Sequence, residues 1–347
     1  MKNKVKIICT LGPASLNPKF LSYSKKNIDL LRLNMSHQTK DELIKNIRYI
    51  KKYTSCPICI DTEGAQMRTT HTKKKYFIKK NSIIKIYNKN NFSNNKNIYL
   101  YPYVDLNYLK VGTKIDIGFN SLSIQVIKKN PLKKYLSCKV IKSGHLESKK
   151  GVHIHSKINL PCLTEKDKYA LKLAKKLKIK YYAISFVNRH KDLEEVKNIT
   201  GNKSFIISKI ETENAITNLD KITKNSDALL IDRGDLSRYV PIEKIPMAQE
   251  IIIKQSKRLN KPTYVATNLL ENMITETQPT RAESHDIYST LKEGATGLVL
   301  AAETAIGSNP VACVKFLKRC INVFERNKNK SKLNRKDKKN YLFRLSP

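Results

Sequence analysis

The chain of 347 residues carries 67 Lys and Arg against 29 Asp and Glu, a formal charge of +38, and contains no tryptophan. It is long enough for one large domain or two with ample core, and no apolar run approaches the ~20 residues of a membrane span. Lysine and asparagine are spread through every segment, so the charge reads as compositional drift, and nucleic acid enters only as a non-specific partner.

The N-terminal stretch MKNKVKIICTLGPAS passes from a few lysines into a strand pattern with no signal-peptide core, which points to a cytoplasmic protein. Eight short apolar runs rich in β-branched residues follow in order: VKIICT (5–10), DLLRLNMS (29–36), CPICIDTEG (56–64), YYAISF (181–186), SFIISKIE (204–211), ALLIDRGD (228–235), PTYVAT (262–267) and GLVLAAET (297–304). Amphipathic segments such as TEKDKYALKLAKKLKI and IPMAQEIIIKQSKRLN lie between them. Thr164 with Asp167 reads as a capping box, TRAE (280–283) as a better one, and Asn309-Pro310 as the start of the last helix. Strands alternating with helices predict a parallel sheet, and eight such units predict an α/β fold, a TIM (β/α)₈ barrel over 1–69 and 157–325.

Residues 70–156 break the rhythm with strand-like runs and no convincing helix, which predicts a small β-barrel-like cap inserted after the third strand as a lid. The Asn/Lys run 88–97 reads as an exposed loop within it. The stretch 326–347 holds nine Lys or Arg against one Asp and is expected to be a disordered tail. Seven scattered cysteines make no disulfide framework; CPIC (56–59) lacks a second CxxC, and His153 with His155 forms at most half a metal site.

Functional groups of a parallel barrel collect where its strands end. Here the ends carry Arg32, Asn34 and Ser36; Asp61 and Thr62; Lys209 and Glu211; Arg233 and Asp235; Thr267; and Glu303. Lys209 and Glu211 stand two residues apart and share a face, so burying them requires a partner for each. A salt-bridge ring explains any one of these charges, whereas the whole set, with two acids suited to a hard cation, reads as a site.

The segments KIICTLGPAS, LLRLNMSH, IDTEGAQMRT, SKKGVHIHSKINLPCLTEKD, SKIETENAITNLD, DRGDLSRYVPIEKIPMAQEIII, KPTYVATNLLENMI, PTRAESHDI and AAETAIGSNPVACV resemble the landmarks of the pyruvate kinase family in order, across 4–325. The resemblance implies a glycolytic phosphotransferase taking phosphoenolpyruvate and ADP to pyruvate and ATP. It implies Glu211 and Asp235 as ligands of Mg²⁺ or Mn²⁺, and Lys209 beside the transferring phosphoryl group. It also implies Gly234 and Asp235 backbone amides with the Thr267 hydroxyl on the substrate carboxylate, and phosphate contacts from Arg32 and Arg68. Asn34, Ser36, Asp61 and Thr62 match the K⁺ set, while Asn34, His37, Arg68 and Lys150 match nucleotide contacts.

Several positions depart from the family pattern. The family's C-terminal domain has no counterpart in this sequence, Ala301-Ala302 stands where Ser-Gly is usual, and Gln66 replaces a glutamate tied to K⁺ use. Gly118 and Phe119 fall where the cap usually carries an acidic pair. These departures keep open a divergent paralogue with other metal-dependent enolate chemistry and a catalytically weak regulatory protein; as a partner, a second copy meeting the barrel faces in a homo-oligomer also stays open.

Overall fold

A computed structural model describes residues 4–118, 121–156, 158 and 160–329. Eight strands, β1 (Lys6–Thr10), β2 (Leu30–Asn34), β3 (Ile58–Asp61), β4 (Tyr181–Ile184), β5 (Phe205–Ile210), β6 (Ala228–Asp232), β7 (Thr263–Ala266) and β8 (Gly297–Leu300), close a parallel barrel in sequence order. Each strand pairs with its sequence neighbours, and β1 closes on β8 from Lys6 with Gly297 to Cys9 with Leu300.

Strand periodicity explains the interior. Ile8, Leu30, Cys59, Ala183, Ile207, Leu230 and Val299 belong to one buried apolar cluster. Two residues further along come Thr10, Arg32, Asp61, Lys209 and Asp232 on the same strand faces, with Ser185 just past β4 beside Lys209. The apolar cluster therefore carries a polar layer at the strands' C-terminal ends.

Helix starts follow the sequence signals. Thr280 and Glu283 form a reciprocal capping box for the helix Arg281–Glu293. Asn309 Oδ1 accepts the Ala312 N–H at 3.1 Å, opening the helix Pro310–Asn329 with proline in its first turn. That helix corrects the expected tail, since 326–329 are helical; residues 330–347 lie outside the described residues. Asp167 Oδ1 accepts the Glu63 N–H at 2.7 Å, tying the helix Glu165–Lys176 to the end of β3.

A second compact unit spans Gly64–Thr164, wider than the 70–156 of the sequence reading. Its seven-stranded sheet runs in the order Val152–Ile154, Lys114–Ile117, Leu122–Asn130, Tyr135–Lys142, Ile83–Tyr87, Asn97–Tyr101 and Arg68–Thr69. Alternating Ile84 and Ile86, Ile115 and Ile117, and Leu136 and Val140 fill its own core. The strand Asn97–Tyr101 has no counterpart in the sequence reading, because the Asn/Lys run before it masks the buried pair Ile98 and Leu100. Gly144 is obligatory in this sheet: a Cβ there would stand 1.8 Å from the Ser121 carbonyl oxygen.

Candidate active site

The polar layer converges on Lys209. Its Nζ lies 2.8 Å from Glu211 Oε1, 3.4 Å from Asp232 Oδ2 and 3.5 Å from Asp61 Oδ1. It also donates to Ser185 Oγ at 3.0 Å. Lys209 is 3% exposed, and Asp61 and Glu211 are fully buried. Burial alone disfavours the ammonium, but Asp61, Glu211 and Asp232 outweigh it and raise the Lys209 pKa above the ordinary lysine value.

Arg32 stands beside this group. Its Nε donates to Asp61 Oδ2 at 2.7 Å, and Nη2 lies 2.7 Å from the same oxygen. Burial opposes its charge too, but Asp61 and Asp232 hold its pKa above the ordinary arginine value. Four polar atoms here are buried with no hydrogen-bond partner: Thr10 Oγ1, Arg32 Nη1, Asp61 Oδ1 and Glu211 Oε1. The last is in ion-pair range of Lys209 but outside hydrogen-bond alignment. Native interiors rarely leave such atoms unsatisfied, so the cluster has spare capacity for a ligand.

The residues past each strand aim the carboxylates. Glu211 Oε2 accepts the Phe186 N–H at 2.7 Å, with Phe186 held at φ 53° just beyond β4. Asp232 Oδ1 accepts the Thr267 hydroxyl at 2.7 Å, and Thr267 itself sits at φ 78°. Asp235 Oδ1 lies 3.0 Å from Arg238 Nη2. Gly234 permits a close approach, because a Cβ there would stand 3.1 Å from the Thr267 methyl.

Glu211, Asp232 and Asp235 each offer a carboxylate oxygen, and the three atoms lie within 4.8 Å of one another. Burial raises the Glu211 pKa, Lys209 opposes the rise, and Asp235 and Asp232 add to it. Asp232 is held below the ordinary range: burial would raise it, but Lys209 and Arg32 prevail. Carboxylates crowded enough to disfavour one another's charge suit a hard divalent cation.

On the K⁺ set, Asn34 faces Asp61 across β2 and β3, and Asn34 Oδ1 accepts the Ser36 N–H at 2.9 Å. Thr62 Oγ1 accepts the Ser185 N–H at 2.9 Å, and the Thr62 carbonyl accepts the Ser185 hydroxyl at 2.6 Å. His37 is exposed just beyond Ser36. In the other unit, Arg68 Nη1 donates to the Lys149 carbonyl at 3.2 Å, and Lys150 Nζ pairs with Glu147 at 3.2 Å.

Some charged and ligand-type residues singled out in the sequence are scaffold. Arg233 spends its guanidinium on Asp286, at 2.8 Å to each carboxylate oxygen, and on the Thr267 carbonyl. Glu303 accepts the backbone N–H groups of Leu270 and Ala301 at 3.1 and 2.7 Å. His155 Nε2 lies 2.6 Å from Asp116 Oδ2 in the second unit, and Cys56 and Cys59 are buried free thiols whose pKa values burial pushes up. The sequence reading missed Asp232 and Ser185. Both follow an apolar lumen residue by two positions, which was the available signal.

A cavity of about 770 Å³ at the start of β3 and β4 is lined by Lys25, Lys51, Lys52, Lys178 and Lys180. Lys51 Nζ there caps the Leu177 carbonyl at 2.7 Å, a helix-end role.

A family profile described as pyruvate kinase, barrel domain, matches residues 2–314. The chain belongs to the pyruvate kinase family. It is 34% identical over 332 residues to a pyruvate kinase of Geobacillus stearothermophilus, covering 91% of this chain and 56% of that protein. It is 32% identical over 333 residues to plastidial pyruvate kinase 3, chloroplastic, of Arabidopsis thaliana, covering 91% and 57%. A Staphylococcus aureus pyruvate kinase is 32% identical over 326 residues, covering 91% and 56%. The chain thus spans about half the length of the curated relatives it matches. Among the described residues no helix is long and apolar enough to cross a membrane.

Proposed function

We propose that this member of the pyruvate kinase family transfers the phosphoryl group of phosphoenolpyruvate to ADP, giving pyruvate and ATP. The observation that carries the reading is the Lys209 ammonium held among three carboxylates beside Arg32, whose buried Nη1 has no hydrogen-bond partner. A fixed pair of cations with one donor to spare is what a transferring phosphoryl group needs, because its charge spreads over oxygens while bonds exchange.

In this reading Glu211 and Asp235 hold Mg²⁺ or Mn²⁺, which when bound supplies charge neutralisation at the phosphoryl oxygens. Arg32 Nη1 takes a phosphoryl oxygen and Lys209 stabilises charge as the enol-phosphate P–O bond breaks and an ADP oxygen forms the new one. The amides of Gly234 and Asp235 with the Thr267 hydroxyl orient the substrate carboxylate. Asn34, Ser36, Asp61 and Thr62 are the proposed K⁺ set, and Asn34, His37, Arg68 and Lys150 the proposed nucleotide contacts. Seven free cysteines fit a reducing, cytoplasmic setting.

Ala301 supports a second reading. It stands where the family pattern has a serine, so this side chain carries no hydroxyl to protonate the enolate. Metal-dependent enolate chemistry with another acceptor fits the same residues. Purified protein assayed with phosphoenolpyruvate, Mg²⁺ and K⁺, with and without ADP, separates the two. ATP formed in step with pyruvate supports the first, and pyruvate formed without ADP supports the second. No turnover under either condition sinks both.

A further inference from the structure

Asp232 occupies the donors that the proposed function assigns to its substrate. The Thr267 hydroxyl has a single proton, and at 2.7 Å it is given to Asp232 Oδ1. Thr267 therefore cannot donate to a substrate carboxylate at the same time. The Lys209 ammonium has three protons. One goes to Ser185 Oγ at 3.0 Å, and the remainder face Glu211, Asp232 and Asp61 within 3.5 Å. A phosphoryl oxygen brought to this ammonium has to compete with those three carboxylates.

Position makes this arrangement durable. Asp232 ends β6 in register with Ala266 of β7, one residue before Thr267, and is 7% exposed. Its backbone and its hydroxyl partner are both fixed by the barrel rim, so the contact forms without ordering a loop. Gly234 brings the following turn against the same threonine.

We propose that Asp232 is a specificity-determining residue, an internal carboxylate that competes with the carboxylate of an anionic substrate for Thr267 and Lys209. The inference rests on the proposed function, because it takes phosphoenolpyruvate as the ligand. A second carboxylate brought to these donors meets both the occupied hydrogen bond and a like charge a few ångströms away, which weakens its binding. The site consequently favours ligands that present a phosphoryl group without a carboxylate, relative to the same site lacking Asp232.

The test is calorimetric binding to the full chain at saturating Mn²⁺, for wild type, Asp232→Ala and Asp232→Asn. Asparagine keeps the side-chain volume and an acceptor for Thr267, so it covers the case in which alanine fails to fold. Phosphoenolpyruvate is expected to bind at least ~10-fold more tightly to Asp232→Ala, which frees the Thr267 hydroxyl and removes the like charge, and to gain less with Asp232→Asn, which removes only the charge, while inorganic phosphate, which lacks a carboxylate, gains far less. Unchanged or weakened phosphoenolpyruvate binding in the variants overturns the inference and leaves the proposed function standing. An equal gain for phosphate also overturns it, as that marks general charge relief. No phosphoenolpyruvate binding by any of the three proteins overturns both readings.

Discussion

Lys209→Met removes an ammonium that stands within 3.5 Å of three carboxylates and leaves a side chain of similar length. No cavity of consequence is made, so the cost is electrostatic. Each contact is worth ~5 kcal/mol at an effective dielectric near 20, but that sum is never realised because a buried carboxyl can take up a proton. Removing one partner of a buried ion pair costs ~3–5 kcal/mol. At ~2–4 °C per kcal/mol for a unit of this size, the melting temperature in metal-free buffer should fall by ~6–20 °C. Divalent cation should restore more of the loss than it adds to wild type, since it neutralises the same freed carboxylates. Turnover should fall ~10²–10³-fold and stay low in Mg²⁺, because the metal replaces the charge but not the position of the donor. Scanning calorimetry in EDTA and in Mg²⁺, alongside the coupled assay, reads all three effects. A variant that melts like wild type in EDTA and retains turnover would refute the view of Lys209 as the hub of this cluster.

Other outcomes follow from particular contacts. Gly144→Ala drives a Cβ into the Ser121 carbonyl at 1.8 Å, so urea unfolding should show a loss of ~1–3 kcal/mol; wild-type stability would mean the strand can shift freely. If Asn34, Ser36, Asp61 and Thr62 hold K⁺, turnover should drop when tetramethylammonium replaces it, and equal rates in the two salts would remove that assignment. Asp116 tests the second unit: burial raises its pKa, but hydrogen bonds from Ser123, His155 and Lys114 outweigh burial and hold it below 3.8. A depressed carboxyl adds stability that is present above its unfolded value and lost as pH falls through the folded one. Asp116→Asn should therefore cost ~1–3 kcal/mol at neutral pH, with the gap from wild type closing below 3.8. A gap that persists unchanged to about pH 2 would rule out the carboxylate as its source.

Much of the barrel was legible because its strands obey a period of two. From the apolar positions Leu30, Cys59 and Ile207, a step of two lands on Arg32, Asp61 and Lys209, the centre of the polar layer. The same step from Ala183 and Leu230 lands on Ser185 and Asp232. Asp232 is masked in the sequence by the adjacent charges Arg233 and Asp235, and Ser185 by its small, neutral side chain within the apolar run YYAISF. The second unit was harder, since its short strands are separated by Asn/Lys runs and its bounds depend on pairings such as Arg68 with Tyr101. What no local pattern could supply was the fate of each charge. Arg233 and Arg32 both sit at strand ends in apolar contexts. Only the tertiary structure brings Asp286 to Arg233 and satisfies its guanidinium, while leaving Arg32 Nη1 buried with no hydrogen-bond partner. Spare hydrogen-bonding capacity, rather than charge or strand-end position, separates the candidate site from the scaffold around it. Capacity is a property of what the other strands deliver. Asp232 shows the converse, since its partners already consume the Thr267 proton assigned to substrate. The free donors of this rim are thus limited by a residue that neither composition nor motif singles out.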